Sequence, residues 1–399
     1  MYLKLGDFML SVVLNRNEEK EKLLGFPWVF NNEVHTFKGD NIVSGEVVKV
    51  ITMDGKFVAY GFLNTSSKIM VRILSRNEND TIDREFFKRK MAYAISHRKN
   101  LNFSNSNCMR LIFAEADGLP GLIVDKYANF LSVQFLSLGM DKIKNMLVEL
   151  LVELTGCTGI YERSDVPVRE KEGLPLVKGP LYGKFDPRIE VVENGIKFIV
   201  DLAEGQKTGY FLDQKLNRDN VKYYCHGKVV LDCFSNVGGF ALHACKYGAI
   251  HVDACDISKK ACDDILVNAK LNGFSQLDVI CEDTFNLLRD PKLYNKYDTI
   301  ILDPPAFTKS KDSVKNAYKG YKEINLSAMK MIKSGGYLLT FSCSQHMTPD
   351  LFMAMINEAA HDAKRNVQFL DFRIQSPDHP ALLSSEEQLY LKCMILRVE

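Results

Sequence analysis

From Lys228 to Ser344 short apolar runs alternate with stretches of helical period, and this alternation constrains the fold more than any other feature of the chain. The runs KVVLDCFS, HVDACDIS, YDTIILDPP and GGYLLTFSCS have strand length. Between them lie FALHACKYG, a segment starting near Ser258 and stopping before Gly273, and INLSAMKMI, all read as helices. Thr348 followed by Pro349 caps a further helix through Phe352, Met355, Ile356 and Ala359. Strands that alternate with helices in this way build an open, mostly parallel sheet with helices on both faces. Ligands on such sheets bind beyond the carboxyl ends of the strands, so the residues closing each run carry the chemistry.

Those residues are acidic. Asp232 lies in LDCFSNVGGF, whose Gly-Gly turn precedes a helix but is not GxGxxG, which disfavours a dinucleotide. A purely structural glycine turn stays open at this point. Asp256 follows 24 residues later, where its carboxylate could receive both hydroxyls of a ribose. Glu282 and Asp283 close the neighbouring strand and could accept from an adenine amino group. Three acidic strand ends repel a pyrophosphate. They suit a nucleoside ligand with a positive centre better than NAD or ATP.

Asp303-Pro304-Pro305 closes TIIL, and the two prolines fix the backbone after the acid. Either this is a structural bend, or Asp303 meets the Watson–Crick edge of a base while Phe307 stacks on it. Cys343 ends GGYLLTFSCS and is either a buried thiol or a nucleophile facing the crevice. The lysine-rich KSKDSVKNAYKGYKE beyond Phe307 reads as a solvated loop that could steer an RNA backbone.

Upstream, NIVSGEVVKV, FVAYGFL and KIMVRIL are strands of a small β-rich unit, with Trp28 as its core anchor or a nucleic-acid contact. Residues 82–98 read as a helix burying Ile82, Phe86, Tyr93 and Ala94 beneath a basic face of Arg84, Lys88, Arg89, Lys90 and Arg98, suited to a phosphate backbone. A second helix repeats Ile143, Met146, Leu147, Leu150, Leu151 and Leu154 and stops at Gly156. LPLVKGPLYGKFDP reads as a linker near residues 173–188. The 51 Lys and Arg against 50 Asp and Glu leave no whole-chain electrostatic preference for nucleic acid or membrane. No apolar run reaches spanning length and the N-terminus carries no signal peptide, so a cytoplasmic protein is expected. The 10 cysteines contain no CxxC pair, which predicts reduced thiols and no metal site.

The motifs together resemble the bacterial ribosomal RNA large subunit methyltransferase I family, which modifies carbon 5 of a cytosine in 23S ribosomal RNA. FPWVFNNEV and the following hairpin resemble its PUA domain, and EADGLPGLIVDKY with YERSDVPVREKEGL its central domain. DLAEGQKTGYFLDQKLNR, LDCFSNVGGF, DACDISKKACDDILVNAKLNG, LDPPAF and FSCSQ are similar, in order, to blocks of its catalytic domain. The resemblance implies three domains: a PUA-like RNA-binding domain at 1–72, an α+β RNA-positioning domain at 73–185, and a Rossmann-like class I methyltransferase domain at 186–399.

It further implies S-adenosylmethionine as methyl donor, held by Gln206, Lys207, Thr208, Gly209, Phe211, Asp213, Arg218, Asp232, Asn236, Asp256, Asp283 and Asp303. Cys343 would be the nucleophile, Asp303 its assistant and Phe307 a base contact. Arg84, Lys88 and Arg89 would meet 23S ribosomal RNA. Ala306 stands where two-cysteine RNA cytosine methyltransferases carry the cysteine used in product release. SPDHP, with Asp378 and His379, resembles a family loop near the cleft, with a fixed surface turn as the alternative. Methylation of a base nitrogen, or a noncatalytic ribosome-assembly role, remains the competing expectation; a homodimer is the candidate assembly.

Overall fold

The computed structural model describes residues 9–103, 105–308 and 311–399. The chain forms two compact units. One comprises Met1–Val191, Val200–Leu212 and Pro377–Gln388; the other comprises Val192–Ile199, Asp213–Ser376 and Leu389–Glu399.

In the first unit β1 (Ser11–Leu14), β2 (Trp28–Phe30), β3 (Val34–Lys38), β4 (Val47–Ile51), β5 (Phe57–Leu63) and β6 (Ile69–Ser75) form a six-stranded sheet in the order β2-β6-β5-β4-β1-β3. FVAYGFL is apolar throughout because β5 is buried on both faces. Val58, Ala59 and Leu63 enter the core of this sheet, while Tyr60 and Phe62 enter a second core with Phe86, Phe87 and Met91. Those three belong to the helix Arg84–Lys99, begun by the Asp83 carboxylate accepting from the Phe86 N–H at 2.9 Å. Two expectations for this helix are corrected. Tyr93 is 79% exposed, since its angular position faces away from the Phe87–Met91–Ile95 stripe. Arg98 leaves the basic face altogether: it is buried, donating to the Asp117 carboxylate at 2.6 Å and to the Asp378 carbonyl.

The second sheet of this unit contains β7 (Cys108–Phe113), β8 (Leu122–Tyr127), β9 (Phe130–Phe135), β10 (Gly159–Ser164) and β11 (Val177–Tyr182), ordered β11-β10-β9-β8-β7. The helix Lys144–Thr155 ends where Gly156 turns left-handed at φ 63°. The middle of the expected linker is instead β11, antiparallel to β10. Pro180 is tolerated because β11 is an edge strand, where an absent N–H breaks no ladder. SPDHP is not a surface turn: Asp378 and His379 are buried, and the Asp378 carboxylate accepts from the Arg110 N–H at 3.0 Å.

A hairpin of β12 (Arg188–Glu193) and β13 (Ile196–Asp201) precedes the main sheet of the second unit. That sheet has β14 (Val229–Cys233), β15 (His251–Asp256), β16 (Leu277–Cys281), β17 (Tyr297–Leu302), β18 (Ile332–Ser342), β19 (Val367–Arg373) and β20 (Lys392–Val398), in the order β16-β15-β14-β17-β18-β20-β19. The first five are parallel, and β20 runs antiparallel to both of its neighbours. The chain steps outward from β14 to β16 and returns at β17, so the switch of direction opens a crevice at the carboxyl ends of β14 and β17. The lysine-rich segment differs from the expected loop. Lys309 and Ser310 lie outside the described residues, but Val314–Met331 is a helix. Ala317, Tyr321, Ile324 and Ala328 recur at three- and four-residue spacing on its buried side, while most of the lysines take the other.

Candidate active site

Asp232 is fully buried near the end of β14. One carboxylate oxygen accepts from the Ser235 hydroxyl at 2.5 Å and the Ala241 N–H at 2.9 Å. The other is buried with no hydrogen-bond partner. A buried lone pair without a donor is costly, and a cationic ligand would satisfy it. Burial pushes this carboxyl up to about 7, against the pull of the two hydrogen bonds and with the charges of Asp303 and Asp256 adding to the rise.

The turn after β14 is built for close approach. Phe234, Asn236 and Gly238 all have positive φ, and the Asn236 N–H donates to Asp256 at 2.9 Å. The other Asp256 oxygen accepts from the Ser258 N–H, also at 2.9 Å, which fixes the carboxylate at the end of β15. Asp283, just beyond β16, caps the helix Thr284–Leu287 by accepting from the Phe285 N–H at 2.7 Å. Three strand-end acids therefore stand on three adjacent strands, as their spacing implied.

At β17 the Asp303 backbone lies against the Cys233 carbonyl, 3.5 Å away, tying the two sides of the crevice. The Asp303 carboxylate accepts from Gln214 at 3.0 Å; Gln214 accepts from Asn217 at 2.7 Å, and Asn217 from Arg373 at 3.0 Å. This aligned chain was missed in the sequence, where Gln214 and Asn217 are only the polar letters of LDQKLNR. Cys343 follows β18, with its sulfur 3.9 Å from the Pro304 carbonyl, so the Asp-Pro-Pro turn and the candidate nucleophile are neighbours. Eight of the ten cysteines are buried; Cys343 is partly accessible and Cys281 exposed. No disulfide joins any two of them among the described residues. Phe307 packs on Tyr321 with ring centroids 4.6 Å apart.

Two further residues assigned to the donor are held within the second unit. The Asp213 carboxylate accepts from the Tyr390 hydroxyl at 2.7 Å, and Arg218 forks onto Glu193 at 2.6 and 2.9 Å. In the first unit, Gln206 and Lys207 are exposed, with Lys207 4.5 Å over the Phe211 ring, and Thr208 donates to Asp125 at 2.5 Å. Gly209 has φ 133°, and a Cβ there would come within 2.9 Å of Val200. Arg84 and Lys88 both pair with Glu153, and Arg89 is exposed. Trp28 donates to Glu115 at 3.0 Å and is part of the first unit's packing. His251, Asp253 and Asp278 come close enough to hold a cation, but Lys296 already donates to Asp253 at 2.8 Å.

Residues 180–397, more than half of the chain, match the model of the S-adenosylmethionine-dependent methyltransferase family, and residues 12–76 match a PUA-like domain. The ribosomal RNA large subunit methyltransferase I of Shewanella amazonensis is 41% identical over 98% of this chain and 99% of its own length. That of Aeromonas hydrophila is 40% identical over 97% and 99%. The chain belongs to the ribosomal RNA large subunit methyltransferase I family.

As a member it is an S-adenosylmethionine-dependent methyltransferase, and the unpartnered Asp232 oxygen, the open turn and the fixed Asp256 carboxylate fit that donor. Among solved structures, a candidate S-adenosylmethionine-dependent methyltransferase from Streptococcus mutans aligns with TM-score 0.82 at 22% identity, covering 98% of this chain and 100% of that one. A tRNA m1G37 methyltransferase from M. jannaschii aligns with TM-score 0.51 at 20% identity over 77% of each chain. These two likenesses concern the fold, which a different RNA methyltransferase shares. Among the described residues no helix is long and apolar enough to cross a membrane.

Proposed function

We propose that this enzyme methylates carbon 5 of a cytosine in 23S ribosomal RNA through a covalent adduct of Cys343. The observation that carries this reading is the partly accessible Cys343 beside the Asp303-Pro304 turn, on adjacent strands of the donor-binding sheet. Carbon 5 of cytosine is too weak a nucleophile to take a methyl group directly. Addition of the Cys343 thiolate to carbon 6 moves the ring electrons toward carbon 5, while Asp303 stabilises or protonates ring nitrogen 3. S-adenosylmethionine, when bound, supplies the electrophilic methyl group that carbon 5 takes up. Loss of the carbon 5 proton and expulsion of Cys343 restore the ring.

The donor is assigned to Asp232, Asn236, Asp256, Asp283 and Asp303, with Asp213 and Arg218 as further wall or scaffold. Phe307 is assigned to the base. The PUA-like domain at 1–72 and the central domain at 73–185, with Arg84, Lys88 and Arg89, are assigned to the RNA backbone. The enzyme itself is assigned to the cytoplasm, and light scattering decides whether it works as a homodimer.

RNA carrying 5-fluorocytosine tests the chemistry. Fluorine blocks the proton loss, so wild-type protein is expected to remain attached after methyl transfer, and Cys343→Ala to bind both substrates yet neither trap nor methylate. Normal methylation by Cys343→Ala, or a methyl group found on a base nitrogen by mass spectrometry, overturns the assignment.

A further inference from the structure

Lys392 begins β20, whose remaining residues read CMILRV, and it is only 2% exposed. A buried ammonium calls for compensating partners. Here its acceptors are two backbone carbonyls, those of Ser344 and Tyr390, each at 2.7 Å. In the β18–β20 ladder Lys392 stands opposite Ser342, so its side chain reaches past that pair to the residue after Cys343. An ammonium has three N–H donors, and these two carbonyls use two of them.

We propose that Lys392 positions Cys343 through the Ser344 carbonyl and balances the charge of the thiolate that adds to the cytosine ring. This rests on the reading of Cys343 as the nucleophile. Cys343 gives its proton to solvent before the sulfur–carbon 6 bond forms; Lys392 stays an ammonium and neither makes nor breaks a bond. It is a positioning residue, not a catalytic one.

Among the described groups near Cys343, two do not supply this positive charge. Tyr321, on the helix Val314–Met331, donates or accepts at the Ser344 hydroxyl at 2.9 Å, and burial pushes its phenol up, so it is neutral. Asp303, at the end of the adjacent β17, carries the same sign as a thiolate. Burial pushes the Lys392 ammonium down to about 8, while Cys343 pulls it back up. An ammonium beside this turn is opposite in sign to a thiolate and attracts it.

Alkylation by iodoacetamide, followed at each cysteine by peptide mass spectrometry from pH 6 to 9.5, tests the pairing in the full-length protein without RNA. In wild type the Cys343 rate is expected to reach half its maximum below the ordinary thiol value of about 8.5. Lys392→Met should move that midpoint up and slow Cys343 alkylation near pH 7 roughly tenfold, leaving the exposed Cys281 unchanged. Lys392→Arg, which keeps a cation, should recover most of the rate. A wild-type Cys343 midpoint at or above 8.5 overturns the proposal whether or not either variant folds, and so does an unchanged midpoint in folded Lys392→Met. A low, Lys392-dependent midpoint combined with full methylation by Cys343→Ala would instead retain the pairing and remove the covalent mechanism.

Discussion

With Asp232 at the donor's positive centre, as proposed, a single carboxylate sets the pH response of donor binding. Its folded value is raised to about 7 from an ordinary 3.8, chiefly by burial. The folded protein therefore holds this proton between about pH 4 and 7 while the unfolded chain does not. The associated stability is full below 4 and lost as pH rises to 7. Replacing Asp232 by Asn should remove that loss and make ligand-free protein more stable at pH 8, by roughly 1–3 kcal/mol in denaturant titrations. The same variant should bind S-adenosylmethionine more weakly. A cation at the unpartnered oxygen favours the ionised form, so calorimetry below pH 7 should show proton release on binding, with affinity falling about tenfold from pH 8 to 6. Binding that is independent of pH would place the positive centre elsewhere. Asp232, Asp256 and Asp303 were legible in the sequence because each follows an apolar run. Lys392 and Gln214 were not: Lys392 meets Ser344 across 48 residues and Gln214 meets Asp303 across 89, distances that no local pattern encodes.

The helix Arg84–Lys99 carries the next test. Arg84 and Lys88 share Glu153, and Arg84 also pairs with Glu85 at 3.6 Å, so two carboxylates offset the two cations on this part of the face. Neutralising Arg84, Lys88 and Arg89 together should weaken RNA binding and flatten its salt dependence by up to about 0.9 for each phosphate left without a cation. Glu153→Gln should do the reverse, raising affinity at low salt by releasing Lys88 and leaving Arg84 only its pair with Glu85. Filter binding across a salt series distinguishes these from a purely structural face, for which neither variant changes the slope. Folding stability should be nearly unchanged, since the pairs are exposed. The helix itself was readable from recurring apolar residues such as Phe86 and Ala94. β11 was not, because Gly179 and Pro180 are local loop signals that an edge strand can accommodate. The second half of the helix Val314–Met331 was read from INLSAMKMI, whereas its first half was hidden by lysines that mask the apolar stripe.

Within the first unit the two sheets share a core, which bears on how the molecule can be divided. Phe62 of β5 stacks on Phe87 with ring centroids 6.1 Å apart and an interplanar angle of 10°. Phe62→Ala should cost about 3–5 kcal/mol and lower the melting temperature measured by circular dichroism, although Phe62 belongs to the PUA-like segment and Phe87 does not. A loss below 1 kcal/mol would mean that the two sheets fold separately. Removing residues 1–72 would strip Phe62 from this core, so point substitutions serve better than truncation for separating RNA binding from donor binding. The buried Arg98 extends the point to the time at which the protein is made. Its guanidinium donates to the Asp378 carbonyl 280 residues later, and the Asp378 carboxylate accepts from Arg110. A chain emerging from the ribosome in order can therefore build both N-terminal sheets early, with Arg98 on Asp117 and the Arg110 guanidinium on Asp125, yet must wait for one of its last segments before the Asp378 contacts to Arg98 and to the Arg110 N–H can form. The unit begun first is among the last to be completed.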